Sequence, residues 1–200
     1  MLRSLEHAKE KIRALGITFR TNEALRQGVH PRTLYALRDN GELEMLSRGV
    51  YRLKEHGPLS NPDLVPVAAR VPHAVICLVS ALSFHNLTTQ IPHRISIALS
   101  RTMRNPSIEY PPLTVYHYEE QCYRSGIEEH LVDGTVVKVY SLEKTLADCF
   151  KFRHKIGMDI VLEALKRYRE QENLKIKELL QYTALCRVER VAKPYLEALL

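Results

Sequence analysis

Residues 28–43 read Gly28-Val29-His30-Pro31-Arg32-Thr33-Leu34-Tyr35-Ala36-Leu37-Arg38-Asp39-Asn40-Gly41-Glu42-Leu43, and the fold of the N-terminal part of the chain turns on them. His30-Pro31 sets up a helix start, because proline at the first helical position forfeits no needed hydrogen bond and presets φ for the following turn. The helix is expected from Pro31 to about Asn40, and steps of roughly 100° bring Leu34 and Leu37 onto one core-facing stripe. The opposite face carries Arg32, Tyr35, Ala36 and Asp39, with Thr33 and Arg38 on its flanks.

Working outward, Thr21 is expected to N-cap a short helix from Asn22 to Gln27, which stops at Gly28. Before it, Leu5, Ala8, Ile12 and Leu15 recur at helical spacing ahead of Gly16, which predicts a first helix over residues 3–15. Two short helices joined by a glycine-containing turn make a helix-turn-helix, whose second helix enters the major groove of duplex DNA with its N-terminal residues nearest the bases. Arg32, Thr33 and Tyr35 are therefore expected at base edges and Arg38 at a phosphate. Leu43 to Leu53 reads as two strands around Ser47-Arg48-Gly49, the wing of a winged helix. With Tyr51 and Leu53 inward, Val50 and Arg52 should point outward, Arg52 toward the DNA backbone and Arg48 from the hairpin tip toward phosphate or the minor groove. Thr21 and Asn22 would add phosphate contacts from a helix N-terminus.

Charge supports this in a minor way. The net charge is +6; residues 1–57 hold 11 Lys+Arg against 7 Asp+Glu and residues 151–200 the same, while the middle is mildly acidic, so both ends suit a polyanion. No apolar run approaches the roughly 20 residues needed to span a bilayer, and the charged, periodic start, Met1 to His7, is unlike a secretory signal, so no membrane partner and a cytoplasmic location are expected. Cys77, Cys122, Cys149 and Cys186 are spread without close pairing, which points to buried reduced thiols rather than a zinc site or a disulfide framework.

Gly57-Pro58-Leu59-Ser60-Asn61-Pro62 is rich in breakers, so the domains are read as 1–57 and 58–200. Beyond it, helices are expected at Asp63 to Arg70 and Ser80 to Asn86, with Ala74 to Val79 an apolar strand or helix start. Arg94 to Leu99 alternates as a half-buried strand should, Leu113 to Tyr118 is a second strand, and the proline-rich stretch from Arg101 to Pro112 is a loop or edge. Asp133-Gly134, the favoured dipeptide of a type I′ turn, joins strands at 129–132 and 135–140. Ser141 caps a helix to about Phe152, and amphipathic helices follow at 159–170, 175–185 and 188–200, with Leu174, Leu179, Leu180, Val188, Val191, Leu196 and Leu199 as their core. The fold class is thus α+β: an N-terminal winged helix-turn-helix, then a larger α+β domain with a mainly antiparallel sheet and C-terminal helices.

His73, His85, His93, His117 and His130, with Glu143 and Asp148, are the residues from which a metal or acid-base site would have to be built. No metalloprotease, P-loop or nucleophile-elbow motif accompanies them, so no catalytic residue, metal or cofactor is assigned, and the chain is not read as an enzyme. Basic residues are dense on the late helices. Lys151, Arg153, Lys155, Lys166, Arg167 and Arg169 form either a solvated face or a second surface for nucleic acid or an effector.

The run Gly28 to Leu43, continued by Ser47 to Leu53, resembles the N-terminal domain of the AbiEi antitoxin family. Two later blocks, Ser80-Ala81-Leu82-Ser83-Phe84-His85-Asn86-Leu87-Thr88-Thr89-Gln90-Ile91-Pro92 and Val139-Tyr140-Ser141-Leu142-Glu143-Lys144-Thr145-Leu146-Ala147-Asp148, are similar to recurring blocks of its C-terminal part. The resemblance implies a bacterial DNA-binding protein that represses its own operon. It further implies an antitoxin of a type IV toxin-antitoxin system, opposing a nucleotidyltransferase-like toxin without a stable complex. An operator of repeats follows from the few base pairs one small winged helix covers, read by a monomer or a dimer with cooperation on DNA. Other readings of the same residues are a plain regulator whose second domain senses a ligand or mediates assembly, and a DNA-guided nuclease or nucleotidyltransferase.

Overall fold

The computed structural model describes residues 2–199, with side chains from Leu5 to Ala198. Its contacts divide into two units. The first holds residues 1–72 with the segments 106–111 and 130–137, and the second holds 73–105, 112–129 and 138–200.

The first unit runs α1 (Leu2–Arg13), β1 (Thr18–Arg20), α2 (Thr21–Arg26), α3 (Pro31–Asp39), β2 (Leu43–Ser47), β3 (Val50–Leu53), a 3-10 turn at Lys54–His56 and α4 (Leu64–Arg70). Pro31 opens α3 as its spacing requires, with the His30 ring Nδ1 accepting from the Arg32 N–H at 3.2 Å. β3 lies between β1 and β2 in an antiparallel three-stranded sheet. Ala8, Ile12, Phe19, Ala24, Leu34, Leu37, Leu43, Tyr51 and Leu53 close one core between this sheet and the helices. The topology is that of a winged helix-turn-helix.

Three expectations change here. Thr21 is the first residue of α2, not its cap; Arg20 holds that place, its N–H bonded to the Glu23 carboxylate at 2.6 Å. Val50 and Arg52 do not point outward to solvent: all four residues of β3 are buried. The cause is α4, which packs on β1, β2 and β3, so both faces of the central strand are covered. For the same reason the expected boundary after Gly57 falls inside the first unit, which keeps α4.

The second unit contains β4 (Val75–Ile76), α5 (Leu78–Phe84), β5 (Ile95–Ser100), β6 (Leu113–Tyr118), α6 (Glu120–Arg124), β7 (Ile127–Val132), β8 (Thr135–Tyr140), α7 (Leu142–Lys151), α8 (Arg153–Ile156), α9 (Met158–Arg169), α10 (Ile176–Leu185) and α11 (Glu189–Leu199). The tip of the β7–β8 hairpin, residues 130–137, groups with the first unit. Asp133 and Gly134 at that tip have φ of 46° and 71°, the two left-handed residues a type I′ turn needs. Strand order is β6-β5-β4-β8-β7. The sheet is mixed: β4 pairs antiparallel with β5, while β4–β8 and β5–β6 are parallel. α5 joins the antiparallel pair β4 and β5, while the proline-rich loop carries the chain back so that β6 runs parallel to β5. β5 is buried along its whole length instead of half-buried, because α5 and α6 both pack on it.

α7 is the hub of this unit, in contact with α5, α9, α10 and α11. Ser141 caps it as expected, its hydroxyl accepting from the Lys144 N–H at 3.3 Å. Of the expected late core, Leu179, Val188 and Leu196 are buried and Val191 is partly so. Leu180 is 47% exposed because α10 turns Leu179 and Thr183 inward toward α7, and Leu174 lies exposed ahead of that helix. The Leu199 side chain lies outside those described.

Candidate nucleic-acid interface

The base-reading candidates stand together on the first turns of α3. Leu34 and Leu37 are locked in the core, so the remainder of the helix faces out. Arg32 is exposed, Thr33 half-buried and Tyr35 44% exposed. Asn22 is exposed on α2. At the wing, β2 and β3 meet through Arg48-Gly49, with Gly49 at φ 78° and Arg48 exposed at the tip. Thr21 ties this tip to α2: its N–H donates to the Gly49 carbonyl at 3.0 Å, with the hydroxyl at 3.4 Å from the same oxygen. Thr21 thus positions the wing.

Pairing separates the arginines of this unit more sharply than exposure does. Arg13 donates to Glu55, Arg20 to the Ala69 carbonyl, and Arg38 to Asp39 at 2.9 Å while lying 5.1 Å from the Tyr35 ring centre. Arg52, expected at the DNA backbone, is only 6% exposed and donates to Glu44 at 2.6 Å. It belongs to the packing between α4 and the sheet. Among the described residues the side chains of Arg26, Arg32, Arg48 and Arg70 have no such partner, so their guanidinium forks are free for an incoming anion. Arg26 and Arg70 were absent from the sequence-based set, since neither lies on the recognition helix or the wing.

In the second unit the late basic residues separate by environment. Lys151 lies over the Tyr118 ring at 5.9 Å, Lys155 over Tyr116 at 5.7 Å and Phe152 at 5.8 Å, and Arg153 donates to the Phe150 carbonyl at 2.9 Å. On the last turn of α9, Lys166 and Arg169 are exposed and Arg167 pairs with Glu163 at 3.3 Å.

Glu143 and Asp148 are not surface groups. Both are buried on α7: Lys144 Nζ meets Asp148 at 2.5 Å, the Cys186 thiol donates to the same carboxylate at 3.2 Å, and Tyr168 donates to Glu143 at 3.0 Å. Lys144, fully buried, also sits 4.3 Å from the Tyr140 ring centre and 5.0 Å from that of Tyr118. The spacing Lys144 to Asp148, one helical turn, was the available signal for this pair. Neither carboxylate faces solvent, and among the described residues no three His, Cys, Asp or Glu converge as a metal site would require. No helix of the described residues is long and apolar enough to cross a membrane.

The first unit is, by its topology and free basic groups, of the winged helix-turn-helix class. Residues 11–54 match the family model described as "Transcriptional regulator, AbiEi antitoxin", the family that the sequence resembles. No curated protein matches the sequence. Among solved structures, the crystal structure of the RV2827C protein from Mycobacterium tuberculosis is similar with a TM-score of 0.63 at 15% identity, over 88% of this chain and 69% of that one. At that identity the likeness establishes a shared fold.

Proposed function

We propose that the chain is a DNA-binding antitoxin that represses its own operon through the first unit and counteracts a nucleotidyltransferase-like toxin through the second. The observation that carries the DNA reading is the pair of free guanidinium groups, Arg32 at the start of α3 and Arg48 at the wing tip. A helix start reads base edges in the major groove while a wing reaches the adjoining backbone or minor groove. Thr33 and Tyr35 complete the base-facing set, Asn22 contributes a phosphate contact, and Arg38 contributes one by exchanging Asp39 for phosphate. The partner is duplex DNA bearing repeats upstream of the chain's own operon, bound by a monomer or a dimer with cooperation along the repeats.

The type IV assignment rests on the family match over residues 11–54 and on the two later sequence blocks that resemble the family's C-terminal part. In it the antitoxin opposes the toxin's effect in the cytoplasm without a stable complex. Lys166 and Arg169, with Lys151, Arg153, Lys155 and Arg167, form the surface on which nucleic acid or another effector would be met. The burial of Glu143 and Asp148 weighs against a nuclease reading, because metal-dependent hydrolysis needs carboxylates that reach substrate.

A footprint on the DNA upstream of the gene tests the first half: protected repeats are expected, and none would refute it. Co-expression with the neighbouring gene tests the second. Restored growth is the expected result; a toxic neighbour left unchecked, or a harmless one, leaves a plain regulator.

A further inference from the structure

A groove of about 670 Å³ in the first unit lies outside the recognition helix, bordered on one side by the wing and on the other by the 106–111 loop. Its lining includes Ser47, Arg48, Arg70, Ser107, Glu109 and Tyr110. The loop is held in place by the Tyr110 hydroxyl, which donates to Asp63 at 2.9 Å. On the wing side a bulge in β2 between Met45 and Ser47 shifts the register, and bulges of this kind re-aim the side chains beside them. Arg48 and Arg70 are exposed and have no partner among the described residues, and Glu109 is the one carboxylate among the groove's lining residues.

Two free guanidinium forks against one carboxylate make a site for an anion, and arginine matches phosphate by bidentate geometry. The groove is too large and open for one isolated phosphate. It is continuous with the wing tip through Arg48. We infer that it seats the sugar-phosphate backbone of one DNA strand beside the segment read by α3, with Arg70 joining Arg48 as a phosphate contact and Tyr110 as the residue that positions the far wall. The inference rests on the DNA reading above and extends the footprint past the recognition helix and wing.

The test uses the full chain with two duplexes of equal length, one carrying the upstream repeats and one unrelated. Arg70→Ala is expected to weaken both alike, to lower the slope of log K against log salt by about 0.9, and to remove backbone protection at one flank in a hydroxyl-radical footprint. If Arg32→Ala weakens repeat binding while Arg70→Ala leaves slope and flank protection at wild-type values, the groove assignment is wrong and the recognition-helix reading stands. If the wild-type chain binds neither duplex, both fall.

Discussion

At position 52 a guanidinium is buried against Glu44, while at position 32 the same group stands free on a helix start. The two therefore respond oppositely to removal. Arg32→Ala is expected to cost about 1–3 kcal/mol of repeat binding and to relax base preference, with no change in the melting temperature, measured by titration against wild-type and base-substituted repeats. Arg52→Ala is expected to leave the salt slope of DNA binding unchanged and to cost about 1–3 kcal/mol of stability, measured by urea unfolding, because it deletes a charged hydrogen bond and the packed stem beneath it. Lys144 poses the question in the other unit. Lys144→Met leaves the Asp148 carboxylate buried without its cation and should cost about 3–5 kcal/mol; adding Asp148→Leu should recover much of that loss. A single variant as stable as wild type would show that the ion pair contributes little.

Among the elements, the turn into β7 and the start of α7 are coupled through Gly126. Its φ is 72°, its carbonyl accepts the Ser141 N–H at 2.7 Å, and a Cβ there would lie 2.7 Å from the Lys144 Cβ. Gly126→Ala is expected to destabilise the unit by about 1–3 kcal/mol or more, since the left-handed backbone is disfavoured and the buried Lys144 stem has nowhere to move. The loop after α5 depends on α9 in a pH-dependent way. Glu163 accepts from the Thr89 N–H at 2.8 Å and from the hydroxyls of Thr89 and Thr88, and these bonds, the Thr89 N–H first, hold its carboxyl below the usual carboxylate range. A depressed carboxyl stabilises the fold above its unfolded pKa and loses that contribution as pH falls through the folded value. The protection factor of the Thr89 amide, its exchange measured against the unstructured chain at the same pH, should therefore fall as pH drops through the acid range, and Glu163→Gln should remove most of that dependence. A protection factor that keeps its pH dependence in Glu163→Gln would assign it elsewhere.

At the scale of the whole molecule, the two units can be followed separately because all four cysteines lie in the second and none in the first. Burial, then the Asp148 charge, pushes the Cys77 and Cys149 thiols well above the ordinary range, so the native unit offers no reactive thiolate there. Alkylation is expected to be slow in the native protein and to rise in step with opening of the second unit; rapid labelling under native conditions would contradict the packing around α7. The α3 start, its apolar stripe, the wing, the type I′ hairpin and the Ser141 cap were all legible in the chain, because each is set by neighbours within a few residues: a proline, a glycine pair, a leucine spacing, a serine hydroxyl. What tertiary structure alone decided lies where two distant segments meet. No local pattern announces that α4 returns over the wing sheet and buries Arg52, that β5 is covered by two helices, or that the 106–111 loop faces Arg70 across a groove. A side chain's exposure depends on what packs over it, and its charge is free or spent according to partners that can lie tens of residues away.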